Sequence, residues 1–297
     1  MIQSLFLLLP LAGLPLAESP ASPQEPAPEA PQKKPEHLKE WPKLKSLPQA
    51  NGDLTRLRKA RTEEMGLLAH ASLLKQGAGI APLLIAGLGK ERNPKAQARM
   101  IAILDLVTDG SHTRLIAPSF QSKKRIVRIW SLRRTALFPD KALKAQADKA
   151  LQAARKLKRG TEEEITEEQF AAALASAAGG SLKGFDLLGE LASKHWGEEG
   201  EAVRTALEGV RGKEASTLCA SGLSGERRAV VQSLRMLAGC GDDSILTAVG
   251  KHLASTDNSI LVEAINACRG IVDGSLPLPR LSAFQAIELA KEWRARL

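Results

Sequence analysis

The stretch RAVVQSLRMLAGCGDD, residues 228–243, is echoed 31 positions later by SILVEAINACRGIVDG, residues 259–274. Val231 falls on Val262, Ser233 on Ala264, Leu234 on Ile265, Gly239 on Gly270 and Asp242 on Asp273. One pair of helices cannot cover its own apolar face. A similar pair stacked on each side covers it, so buried positions recur at the repeat length. A single compact bundle has no reason to echo at this period.

The same design stands further upstream. In NPKAQARMIAILDLVTD, Asn93 is a candidate N-cap, Pro94 occupies the first helical position, and Met100, Ile101, Ile103, Leu104 and Val107 form one apolar arc. Gly110 is the expected stop. Related segments begin near residues 93, 122, 226 and 257, with Arg99 aligned to Arg128 and Ala102 to Ser131. Small residues at the matched places Ala102, Ser131, Ser233 and Ala264 are expected to let neighbouring helices approach closely. Between 122 and 226 there is room for about three more units, but 139–198 aligns poorly and reads as an irregular break. Helices are still expected there over 141–158, 161–178, 185–196 and 199–210. Shorter partner helices are expected over 81–89, 214–223 and 243–253. Capping boxes stand at Thr161/Glu164 and Ser282/Gln285, the second opening an amphipathic helix over 282–297 that suits a terminal cap. Composition agrees with an all-α chain: 43% of residues are hydrophobic but only 3% aromatic, Tyr is absent, and the apolar mass is Leu, Ala, Ile and Val.

STDNSILVEAINACRGIVDG and KERNPKAQARMIAILDLVTDG resemble the HEAT-repeat family, over about 79–138 and 199–274. That resemblance implies a right-handed α-solenoid of antiparallel helix pairs. The whole chain also resembles secreted bacterial HEAT-repeat proteins of unassigned role. The likeness is to an architecture and implies no reaction.

Ahead of the repeats, MIQSLFLLLPLAGLPLAES carries an apolar run too short to span a membrane, followed by small residues. It reads as a signal peptide over 1–17, although it lacks a basic n-region. A Pro-rich tether over 18–50 leads to the solenoid at 51–297. The expected localisation is export, periplasmic or secreted, with no membrane contact beyond the signal peptide.

The net charge of +9 is uneven: Lys123 to Arg159 holds 13 basic residues against Asp140 and Asp148. Lys123, Lys124, Arg125, Arg128, Arg133 and Arg134 are the candidate residues for a polyanion or partner, set against the plainer expectation of solvated helices with Trp130 in the core. The acidic run TEEEITEEQF, residues 161–170, fits the favourable end of a helix dipole, with docking of a basic partner as the alternative. The five histidines lie far apart in sequence, and no P-loop, G-x-S-x-G, G-x-G-x-x-G or zinc spacing occurs. The two DGS triplets, 109–111 and 273–275, lack the further acids of a calcium loop and read as turns. Cys219, Cys240 and Cys268 read as buried thiols, with one bridge open in an oxidising compartment. No catalytic residue, metal site or cofactor is expected. The leading expectation is a non-enzymatic protein-interaction scaffold with an unidentified protein partner. Binding of an anionic polysaccharide or nucleic acid through 123–159 is the alternative. A lyase-type enzyme on a HEAT-like scaffold rests on analogy of fold alone.

Overall fold

The computed structural model describes residues 36–278 and 280–297; the expected signal peptide and the Pro-rich stretch through 35 lie outside the described residues. Among the described residues the chain is all-α, without a strand. Its helices are α1 (Leu47–Lys59), α2 (Glu63–Leu74), α3 (Ala81–Leu88), α4 (Pro94–Val107), α5 (Thr113–Ile116), α6 (Arg125–Leu137), α7 (Lys144–Arg155) and α8 (Glu162–Ala178). They continue as α9 (Phe185–Lys194), α10 (Trp196–Glu208), α11 (Lys213–Ala220), α12 (Arg227–Cys240), α13 (Leu246–Gly250), α14 (Asn258–Cys268) and α15 (Ala283–Arg296).

From α3 to α14 the helices alternate in length, and the contacts follow chain order. Each shorter element packs on the next longer one, as α3 on α4, α7 on α8, α11 on α12 and α13 on α14. The longer helices touch one another in sequence: α6 on α8, α8 on α10, α10 on α12, α12 on α14, and α14 on α15. The Trp130 indole N–H, donating to Asp105 Oδ1 at 3.0 Å, joins α6 to α4. The longer helices start at Pro94, Arg125, Glu162, Trp196, Arg227 and Asn258, separations of 31, 37, 34, 31 and 31 residues. Two units therefore fill the interval expected to hold three. The region 139–198, expected to be irregular, consists of α7, α8 and α9 packed between α6 and α10. α8 carries no separate polar stripe in its second half, because Phe170 through Ala178 are all buried.

The repeated cadence has a mechanical cause. A Cβ on Gly270 would stand 2.1 Å from the Ala238 carbonyl oxygen of α12. On Gly239 it would stand 2.7 Å from the Arg204 carbonyl oxygen of α10. At both places the chain comes within a methyl group's reach of the preceding long helix, so only glycine fits. Of the other small residues expected at contacts, Ser131, Ser233 and Ala264 are buried, whereas Ala102 is exposed.

Local chemistry sets the helix ends. Asn93 Oδ1 accepts from the Lys95 amide at 3.0 Å, and Asp257 Oδ1 from those of Ser259 and Ile260. The boxes Thr161/Glu164 and Ser282/Gln285 both close. Gly110 is not the stop of α4. That helix ends at Val107, Thr108 Oγ1 donates back to Leu104 O at 2.7 Å, and Gly110 opens a 3-10 turn. The two DGS triplets also differ. Asp109 caps that turn through Ser111, whereas Asp273 pairs with Arg296 ahead of a left-handed Gly274. The true counterpart of Asp109 is Asp242, which accepts the Ser244 amide at 3.3 Å and its hydroxyl at 2.5 Å.

The tether was expected to reach residue 50, yet the chain is engaged from near its first described residues. The Leu38 amide donates to Ser111 O at 2.9 Å, Trp41 stacks on His112, and helix begins at Leu47. Buried apolar side chains form two clusters, one from Ala50 to Trp130 and one from Ala117 to Trp293. α6 feeds both, through Val127 and Trp130 on one side and Ile129, Leu132 and Ala136 on the other.

Candidate functional site

The six candidate cations of 123–134 meet different fates, because α6 is covered on several sides. Lys123 and Lys124 precede the helix and are exposed, with no side-chain partner among the described residues. Arg128 makes a two-point contact with Glu168 of α8, Nε to Oε1 at 2.6 Å and Nη2 to Oε2 at 2.8 Å, and gives Nη1 to Ser122 O at 2.7 Å. Arg125 reaches Glu168 at 3.2 Å, Glu164 at 2.5 Å and the Arg159 carbonyl. Arg133 grips both carboxylate oxygens of Glu199 on α10, at 3.2 and 2.9 Å, with its guanidinium 5.3 Å above the Phe170 ring. Arg134 is buried. It donates to Thr108 Oγ1 at 3.0 Å, Asp105 O at 2.6 Å and Thr108 O, and lies 4.6 Å above Phe138. Burial pulls its pKa below the ordinary arginine value, opposed by Asp105 and Asp109. The four arginines thus bridge α6 to its neighbours. The part of the basic run that stays outward and without an ion pair among the described residues is Lys123, Lys124, Lys141, Lys149, Lys156, Lys158 and Arg159.

Beside Arg133 and Arg134 a cavity of about 310 Å³ opens between four long helices. α4 supplies Ile101, α6 supplies Ile126, Ile129 and Trp130, α8 supplies Leu174 and α10 supplies Ala202. Its few polar side chains are Asp105, Arg133, Arg134, Glu167 and Thr205. Arg133 and Glu167 also line a second, larger groove of about 1240 Å³ over α8, α9 and α10. This groove has Ile165, Phe170, Leu187 and Leu191 along it, and its charged residues are Glu162, Glu163, Glu167, Glu190, Glu198 and Glu199 against Arg133 and Lys194. Glu199 is neutralised by Arg133 and Glu190 by Lys194. Glu162, Glu163, Glu167 and Glu198 carry no ion pair among the described residues.

Cys219, Cys240 and Cys268 are free and buried. The Cys240 thiol is held well above its ordinary range by its hydrogen bond with Cys219 and by burial, and burial pushes Cys268 up to about 11, which keeps both as protonated thiols. Among the described residues no three His, Cys, Asp or Glu side chains could hold a metal ion, and no single helix is long and apolar enough to cross a membrane. No family model matches the chain, and neither the curated proteins nor the solved structures contain a match to it.

The sequence drew attention to the cations of 123–134 and offered the acids of 161–170 as a docking site for a basic partner only as an alternative to their role as dipole partners. It carried no signal for Glu190, Glu198 or Glu199. The spacing of Glu163 and Glu167 by one helical turn was the available clue that two acids share a face.

Proposed function

We propose that the protein is a non-enzymatic interaction scaffold, built as a right-handed α-solenoid of HEAT-like helix pairs and exported from the cytoplasm. The observation that supports this most is the connected depression across α4, α6, α8, α9 and α10. It is uncovered, part apolar and part polar, and spread over consecutive units in the way that solenoids present extended binding surfaces. The cavity and groove offer a partner an anchor site and a rim, the usual anatomy of a protein interface.

A second reading is favoured by one observation: Lys141, Lys149, Lys156 and Lys158 project from and beyond α7 without ion pairs. A polyanion would meet these lysines together with Lys123 and Lys124, since the α6 arginines are already engaged.

Photo-crosslinking residues placed at Leu137, beside the cavity, and at Gln152, on the exposed face of α7, separate the two in the native host. The scaffold reading expects a discrete protein adduct from Leu137 that is absent from Gln152. Adducts from Gln152 alone, released from anionic polymer by salt, favour the polyanion. Identical patterns from both positions contradict the scaffold.

A further inference from the structure

Resting on the scaffold reading, we infer that the depression receives a cationic amphipathic segment of a partner protein, with an apolar side chain in the cavity and lysines or arginines along the groove. Two unlike features, contiguous through Arg133 and Glu167, carry this. The cavity is mostly apolar, with half-buried Ile101 and Ile126 alongside buried Ile129 and Leu174. Filling it removes apolar surface from water, at about 25 cal/mol per Å².

The groove beside it selects by charge. Its charged lining is six glutamates against Arg133 and Lys194, in a chain whose net charge is +9. Acid is thus gathered where the chain as a whole is basic. Four of these carboxylates are exposed and have no internal cation. Their field attracts cations and repels an acidic segment, so the groove sets the sign of the partner while the cavity provides an anchor. Neither part suffices alone. An anionic polymer is repelled by the groove, and an uncharged apolar segment leaves the carboxylates unmatched.

The test uses the full chain and a fluorescein-labelled helical peptide with one leucine face and one lysine face, followed by anisotropy. An otherwise identical peptide with glutamates in place of the lysines is the control. The lysine peptide binds, its affinity falls with salt, and the glutamate peptide does not bind. The triple neutralisation E163Q/E167Q/E198Q weakens binding by about tenfold at low salt and flattens the salt dependence. A202F, which fills the cavity, weakens it by about tenfold while leaving the salt dependence intact. A202L does the same at smaller scale should the phenylalanine perturb folding. K149E/K156E/K158E, at residues that line neither the cavity nor the groove, leaves the affinity within about twofold. Equal binding of both peptides overturns the inference, as does affinity that follows the α7 lysines or ignores both groove and cavity variants. A cellular adduct from Leu137 combined with failure of the lysine peptide leaves the scaffold standing and removes only this partner chemistry. Peptide binding without any such adduct does the reverse.

Discussion

A guanidinium on an amphipathic helix becomes interpretable only when its acceptor is known. Arg128 finds Glu168 at a distance of 40 residues along the chain, and Arg133 finds Glu199 at 66. The arginines were legible in the sequence, but their acceptors were not, because no local spacing rule reaches so far. Shorter-range chemistry was legible: Asn93, Thr161, Asp257 and Ser282 cap as their side chains dictate. Glu91 gives a residue-scale prediction. Its carboxylate takes Arg58 Nε at 2.5 Å and the amides of Arg92 and Asn93 at 2.9 and 3.0 Å, joining α1 to the start of α4. The Arg58 contact first, then the Asn93 amide, hold its pKa at about 2 against an ordinary 4.5, despite the opposing effect of burial. A lowered folded-state pKa contributes stability that is full above about 4.5 and lost as pH falls toward 2. The melting temperature of E91Q therefore lies below wild type at pH 7, and the gap closes between pH 4.5 and pH 2. A gap that stays constant to pH 2 contradicts this role.

Among elements, the repeat register of α12 and α14 was readable and that of α8 was not, although its span and its capping box were. α12 and α14 are also enclosed over 236–240 and 263–268, but matched large and small residues, Leu234 with Ile265 and Gly239 with Gly270, mark their register. α8 is enclosed along its second half, where Ala171 through Ala173, Ala175, Ala177 and Ala178 are all buried, and an alanine helix covered all round displays no stripe. That is why 139–198 could not be aligned, although its helices follow the same order of contacts. The aligned glycines, in contrast, were visible before their reason was. G270A is expected to destabilise by about 1–3 kcal/mol in urea unfolding, since the new Cβ meets backbone that must move. G52A, in α1 where nothing lies within 4 Å, is expected to stabilise by about 0.5–1 kcal/mol. Similar signs for the two variants would show that propensity, and not close helix approach, governs Gly270.

At the scale of the molecule, two apolar clusters meet on α6, and the same helix sends arginines to α4, α8 and α10. The basic run is thereby divided. Arg125, Arg128, Arg133 and Arg134 hold neighbouring helices together, and most of its lysines face solvent. The candidate site lies on the flank of this junction, and it was illegible because it is assembled from α4, α6, α8, α9 and α10. Each contributes side chains that, taken singly, look like core or like solvated surface. The echo of 228–243 in 259–274 was legible because α12 and α14 bury matched positions, Leu234 with Ile265 and Gly239 with Gly270. The central claim is that the α6 arginines act as internal clamps between successive long helices and are not free for a ligand. A double-mutant cycle on R128A and E168A, read by urea unfolding, tests it most directly. The account predicts a coupling of about 2 kcal/mol, since removing one partner strands the other charge against a nearly buried carboxylate site. A coupling below about 0.5 kcal/mol, the two substitutions simply adding, would mean that Arg128 stands free at the surface and would contradict it.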